Sequence, residues 1–205
     1  SYGAGVGGAG PAGRSAAAEL SERTSCLLVE QGSPAPVRDR DGPSDVLQGA
    51  GGAGLFSDGK HSFFPSASGL WKLPDRAVLA GSYDATTRLL ARYGVEAGPM
   101  PSGSLHANGG ETGAWVEKLY PALYVGFDER LACIEELWGK AGERRSGTRV
   151  VDAERAGDGI SLLLEENGRR EEIRTRTLVV AGGRWSPRWM RSWLEKLGVS
   201  FAFPR

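Results

Sequence analysis

The chain has 205 residues, in which 25 Lys plus Arg balance 25 Asp plus Glu; that length suits one domain or one domain with a small companion. The zero formal charge provides no overall field toward nucleic acid or an anionic membrane surface, so neither is an expected partner. Cys26 and Cys133 are the only cysteines, which excludes a C-x-x-C redox pair and a cysteine-rich zinc site, and no metal site is expected; with no run long and apolar enough to cross a bilayer and nothing resembling a secretory leader, a reducing cytoplasm is the expected location.

Tyr2, Ala4 and Val6 alternate with Gly3, Gly5 and Gly7, a period-two pattern that predicts a first strand. Interior glycine costs about 0.5–1 kcal/mol relative to alanine, so this strand is expected to be a poor one. Ser1 stands where Met opens a natural chain, and with the strand beginning at once a trimmed or partial N-terminus is expected. Gly8-Ala9-Gly10-Pro11-Ala12-Gly13 follows as a G-x-G-x-x-G run. The pattern predicts a sharp turn into a helix over Pro11–Arg23, with Ala16, Ala17 and Leu20 facing inward, and with backbone N–H groups and a positive helix end directed at a pyrophosphate. Arg14, in the first helical turn, either pairs with phosphate or crowds the contact between helix and sheet.

Cys26 to Val29 reads as the second strand, ending in Glu30 seventeen positions after Gly13. An acidic residue at that spacing accepts hydrogen bonds from ribose hydroxyls in dinucleotide sites, and Gln31 lies beside it. From Gln31 to about Gly69 the chain is rich in Gly, Ser, Pro and Asp, which predicts a long ligand-covering loop. A helix is expected over Asp75–Tyr93, with a break at Gly81 and a stop at Gly94. Pro99–Gly113 reads as loop. Asp128 is expected to cap a helix reaching about Gly142, with Leu131, Ile134, Leu137, Trp138 and Ala141 on one face; Cys133 falls on it, and both thiols read as packed structural groups. The basic pairs Arg144-Arg145 and Arg169-Arg170 read as solvated surface.

Thr148–Glu154, Gly159–Glu165 and Glu171–Thr175 predict a small antiparallel meander joined by turns at 156–159 and 166–168. Leu178–Ala181 is a short apolar run ending in Gly182-Gly183, as expected of a buried strand that carries its C-terminal end to a ligand. Ser186 and Pro187 open a last helix that Gly198 stops, with Trp189, Met190, Trp193, Leu194 and Leu197 as its apolar stripe.

Four blocks together resemble the bacterial FAD-dependent oxidoreductases with a glutathione-reductase-like FAD domain. They are the glycine run with Glu30, the loop Gly51-Gly52-Ala53-Gly54-Leu55-Phe56-Ser57-Asp58-Gly59-Lys60, the segment 120–126 (YPALYVG), and Thr177-Leu178-Val179-Val180-Ala181-Gly182-Gly183. The resemblance implies an α/β, Rossmann-like FAD-binding domain over residues 1–205, with a parallel central sheet, a small antiparallel β-meander and an inserted helical and loop segment at 66–125. It implies FAD as cofactor, held at the pyrophosphate by Gly8, Gly10, Pro11, Ala12 and Gly13, at the ribose by Glu30 and Gln31, and at the adenine by backbone near Val150 or Val151. Ala181, Gly182 and Gly183 would close over the adenosine or pyrophosphate. Arg38 or Arg40 would reach a phosphate or remain a solvated loop charge. Gly51, Gly52, Ser57, Asp58, Gly59 and Lys60 would pass near the flavin, with Lys60 balancing charge on the reduced ring or else pairing with Asp58. Relatives in that family continue beyond Phe203-Pro204-Arg205, so the chain is expected to be the N-terminal part of a longer fold.

Flavin carries hydride transfer itself, leaving the protein to supply position, electrostatics and a proton. His61, after the loop that carries Lys60, and His106 are the candidate acids or bases, with His61 favoured by its place. Three readings stay open: an FAD-dependent dehydrogenase acting on a small organic molecule with NAD(P)H as an optional co-substrate, an FAD-dependent monooxygenase, and a non-catalytic dinucleotide-binding module. A homo-oligomer is compatible with each.

Overall fold

The alternation at the N-terminus forms β1, Tyr2–Gly7, in a computed structural model that describes residues 1–63, 73–100 and 122–200. Its glycines make room: a Cβ on Gly3 would lie 1.8 Å from the Thr24 hydroxyl and one on Gly5 3.3 Å from Leu162. Ala4 and Val6 are buried. Pro11 then starts α1, Pro11–Ser21, two residues shorter than expected. Its inward residues are Gly13, Arg14, Ala17 and Ala18, so the buried stripe is displaced from the expected Ala16 and Leu20, which are half-buried. β2, Cys26–Val29, is buried throughout.

The stretch after β2 is less open than its composition predicts. It holds a 3-10 turn at Ala35–Val37, the short helix α2 at Pro43–Leu47, a second 3-10 turn at Ala53–Phe56 and β3 at Lys60–Ser62. Next come α3, Arg76–Ala91, β4, Ala122–Tyr124, and α4, Phe127–Lys140. Asp75 caps α3 by accepting the Val78 N–H at 2.9 Å, and Gly81 lies inside an unbroken helix. Asp128 is in the first turn of α4 and not its cap. β5, Glu143–Arg145, was not expected as a strand; β6, Thr148–Ala156, and β7, Gly159–Glu166, were.

The two strands predicted over 171–175 and 178–181 are one, β8, Arg169–Val180. Its first half pairs antiparallel with β7 and its second half parallel with β1, and Thr175 meets partners on both sides, Ile160 and Tyr2. The Thr175 hydroxyl donates to the Thr177 carbonyl at 2.7 Å, and Thr177 donates to Gly3 at 3.0 Å. These bonds carry the strand through the handover without a break. The six-stranded order is β5-β2-β1-β8-β7-β6, with β5, β2, β1 and β8 parallel and the β8-β7-β6 side antiparallel. The helix α5, Pro187–Lys196, ends the described chain.

By its contacts the chain forms two units, one of Ser1–Phe56 with Ile134–Arg205 and the other of Ser57–Cys133. In the first, Leu27 and Val29 of β2 join Ala153, Leu162, Leu164, Ile173, Trp193 and Leu197 in one core. Strand alternation turns Cys26 and Leu28 the other way, toward the face on which α1 lies. Trp189 departs from its expected core role at 38% exposure. In the second, β3 and β4 form a two-stranded antiparallel sheet in which Lys60 pairs with Tyr124 and His61 with Leu123. His106, residues 101–113 of the expected loop, and Tyr120 and Pro121 lie outside the described residues.

Candidate functional site

The glycine run lies where β1 turns into α1. Gly8 has φ +104°, a conformation L side chains avoid, and a Cβ there would sit 2.6 Å from the Ala181 carbonyl oxygen. Gly13 is constrained more tightly, because its Cβ would lie 1.8 Å from the Gly8 carbonyl oxygen. These two glycines let α1 press against the ends of β1 and β8. Gly10 differs: it has ordinary φ −70° and ψ 178° at the helix N-cap, with no side-chain cap, and the nearest atom to a Cβ there is Gly52 Cα at 3.8 Å. Among the described residues the Gly10 N–H has no hydrogen-bond partner.

Ala9, a position the glycine pattern treats as filler, is held on both sides. Its N–H donates to Glu30 Oε2 at 2.8 Å, and its carbonyl accepts from the Gly51 N–H at 2.8 Å and from Arg14 Nε at 3.0 Å. Glu30, 6% exposed, also accepts the Gly32 N–H through Oε1 at 2.9 Å. Its backbone carbonyl receives the Thr148 N–H at 2.9 Å, joining the start of β6 to the end of β2. Gln31 is exposed and donates to the Gln48 side chain at 3.1 Å.

Arg14 neither faces the open side of the corner nor crowds the sheet. Fully buried, it donates to the Ile134 carbonyl, pairs with Glu135 at 3.2 Å and lies 4.8 Å over the Trp138 ring. Burial pulls its pKa below the ordinary arginine value, opposed by Glu135 and Glu30. The signal for this lay on α4, where a carboxylate and an indole share the helix with the apolar stripe.

Arg38 is buried as well. Nη1 donates to the Ala50 and Gly52 carbonyls at 2.8 Å each, Nε to the Asp45 carbonyl at 3.0 Å and Nη2 to the same oxygen, with the guanidinium 5.0 Å over Phe56. It gathers residues 38–56 so that Gly51 and Gly52 reach the glycine run, where a Cβ on Gly52 would meet Pro11 at 3.1 Å. Arg40 is exposed.

At the other side of the corner the Ala181 N–H donates to Gly7 at 2.8 Å. A Cβ on Gly182 would meet Ser186 at 2.6 Å and the Trp189 ring at 3.0 Å, so the half-exposed indole covers this glycine. Gly183 is exposed and opens a 3-10 turn. Val150 approaches Gly7, its Cγ2 4.0 Å from a Cβ built there. Val151 is the extra residue where the register shifts between the Val150–Leu164 and Asp152–Leu163 pairs. The first unit thus assembles Gly8 to Gly13, Glu30, Arg38, Gly51, Gly52, Val150, Ala181 and Gly182.

Ser57, Asp58, Gly59, Lys60 and His61 form one tight turn of the second unit. Ser57 Oγ accepts the Gly59 N–H at 3.2 Å, and Asp58 Oδ1 accepts the backbone N–H of Lys60 at 3.0 Å. Asp58 therefore meets the Lys60 backbone and not its ammonium. His61 Nδ1 lies 3.1 Å from the Gly59 carbonyl oxygen. Arg130 donates to the Ser57 carbonyl at 3.0 Å, a partner that no spacing in the sequence announces.

The corner of the first unit fits a pyrophosphate. Gly8 and Gly13 let α1 close on the strand ends, and Gly10 leaves open space that a side chain would fill before an uncapped helix N-terminus, which is a favourable setting for an anion. Among the described residues no cluster of three or more His, Cys, Asp or Glu is placed to hold a metal, and no helix is long and apolar enough to cross a membrane.

No protein-family model matches the chain, and no curated protein matches it in sequence. Solved structures do match in fold. The chain is similar to AlpK, with a TM-score of 0.52 and 18% identity over 96% of this chain and 33% of that one. It is similar to BexE, studied for insights into oxidation during BE-7585A biosynthesis, with a TM-score of 0.51 and 18% identity over 89% of this chain and 32% of that one. The p-nitrophenol 4-monooxygenase PnpA from Pseudomonas putida DLL-E4 gives a TM-score of 0.50 and 15% identity over 98% of this chain and 44% of that one. The chain therefore spans about a third to under a half of these proteins. What it shares with them is the fold, a Rossmann-like α/β fold with a parallel sheet and an antiparallel meander.

Proposed function

We infer that this chain binds FAD and is the FAD-binding part of an oxidoreductase that transfers hydride between flavin and a small organic substrate, with NAD(P)H as co-substrate. The observation that carries this is the corner at Gly8–Gly13, where open space at Gly10, an uncapped helix start and a fixed acidic residue converge. The Gly10 N–H and the first-turn amides of α1 hold the pyrophosphate, whose approach the missing Gly10 side chain permits. Glu30 gives one lone pair of each oxygen to the chain, and a carboxylate has further lone pairs for ribose hydroxyls. Backbone at Val150 and Val151 would receive the adenine, and Ala181 to Gly183 would border the pyrophosphate. When bound, the flavin supplies the hydride acceptor and donor. In the second unit Lys60 would supply a positive charge and His61 an imidazole able to hold or move a proton.

The likeness in fold to a p-nitrophenol monooxygenase supports a second reading, in which the same site serves oxygen insertion into an aromatic substrate. Purification tests the flavin reading: a yellow protein that releases FAD on denaturation is expected, and a colourless protein that takes up no FAD after refolding overturns it. Incubation of the loaded protein with NAD(P)H, labelled oxygen and a panel of phenols separates the two chemistries, because only a monooxygenase transfers label to the phenol.

A further inference from the structure

We propose that Arg14 is a positioning residue of the pyrophosphate corner, orienting the Ala9–Gly10 peptide and supplying buried positive charge to the anion bound there. The inference rests on the flavin reading of this corner. A trans peptide points its C=O and N–H in opposite directions. Arg14 Nε and the Gly51 N–H both hold the Ala9 carbonyl, so the Gly10 N–H of the same peptide is turned away from them, toward the side where it has no partner among the described residues. The preceding peptide is fixed by the opposite charge, since Glu30 holds the Ala9 N–H. Two successive amides of the glycine run are thus set by an arginine and a glutamate at zero and 6% exposure.

Arg14 is itself immobilised. The Ile134 carbonyl, the Glu135 carboxylate and the Trp138 ring hold its guanidinium from α4, which locks a flexible side chain into one geometry. Glu135 is only partly buried, with its side chain 35% exposed, so water screens the carboxylate more than the guanidinium it faces. Glu30, 6% exposed, is the other carboxylate that acts on the guanidinium, so neutralising Glu135 leaves one buried carboxylate against one buried guanidinium at the corner.

The test compares wild type with Arg14→Met, Arg14→Lys and Glu135→Gln, measuring binding of FAD, ADP and adenosine by calorimetry beside circular dichroism and thermal unfolding. Arg14→Met is expected to weaken FAD and ADP by about tenfold or more, as for loss of a charged hydrogen bond, and to leave adenosine within about twofold. Arg14→Lys recovers part of the loss through its charge. A purely structural arginine would lower all three ligands alike, with no rescue by lysine, and that result overturns the proposal. Should Arg14→Met fail to fold, Glu135→Gln decides: removing its charge is expected to tighten ADP by about two- to fivefold, the range of a partly exposed ion pair, whereas unchanged or weaker binding overturns the proposal. A folded wild type that binds neither FAD nor ADP rejects the flavin reading itself, and the role of Arg14 falls with it.

Discussion

The carboxylate of Glu30 accepts the Ala9 N–H at 2.8 Å, so the acidic residue that ends β2 also shapes the glycine run. Its other oxygen takes the Gly32 N–H. Replacing Glu30 by Gln turns one acceptor into an NH2 that faces an N–H. A charged hydrogen bond lost in a buried setting costs about 1–3 kcal/mol. Glu30→Gln is expected to lower the urea midpoint accordingly and to weaken FAD retention. An unchanged midpoint would show that the carboxylate serves ligand alone.

Gly10 borders open space, whereas Gly13 is packed against backbone. Gly13→Ala puts a methyl 1.8 Å from the Gly8 carbonyl oxygen and must displace α1, at a cost of about 1–3 kcal/mol. Gly10→Ala meets nothing closer than 3.8 Å in a backbone conformation alanine adopts readily, so stability should stay within about 0.5 kcal/mol while FAD binding drops sharply. Thermal unfolding and flavin titration of both variants check the contrast. If the two behave alike, the distinct roles assigned to these glycines are wrong.

Arg38 gathers the loop between β2 and β3. In Arg38→Met the carbonyls of Asp45, Ala50 and Gly52 lose their shared donor, and residues 39–52 should become the first site of limited proteolysis. Cleavage at the wild-type rate would contradict this.

Acid titration probes the link between β6 and α5, where Lys196 pairs with Asp152. Hydrogen bonding to the ammonium, with the Ala153 N–H, holds the Asp152 carboxyl below its ordinary value of 3.8. A depressed carboxyl stabilises the fold fully above that value and loses its contribution as pH falls through the lower folded one. The pair is partly exposed, with side chains 46% and 33% accessible, which limits its worth to below about 1 kcal/mol. Lys196→Met should therefore be less stable than wild type at pH 6 and converge with it toward pH 2 in urea melts. A constant gap would assign the effect to packing of the lysine stem.

The elements that were legible in the sequence carry local signals. The G-x-G-x-x-G spacing, the Asn167-Gly168 turn and the apolar stripe of α4 each rest on residues near in sequence, and the parallel and antiparallel parts of the sheet followed from them. Long-range choices were hidden. Nothing local distinguishes a strand that ends at Thr175 from one that changes partners there. β5 is three residues long and charged, and it is a strand because Val29 and Arg145 pair and Arg145 meets Glu171 at 2.6 Å. Arg14 reads as a phosphate partner or a crowding side chain because its partners on α4 stand 120 residues and more downstream.

β8 imposes an order on biosynthesis. β1 lies between β2 and β8, and Tyr2 finds its β8 partner only at Thr175. A ribosome delivers β8 long after the glycine run, so until then β1 has an open edge. Ala181, whose carbonyl leaves no room for a side chain on Gly8, arrives later still. The corner is therefore completed only once Ala181 has been made, long after its glycines, and non-local pairing of this kind is slow to form. Nascent chains arrested before residue 169 should therefore lack the corner, while those carrying residues through 183 outside the exit tunnel can acquire it.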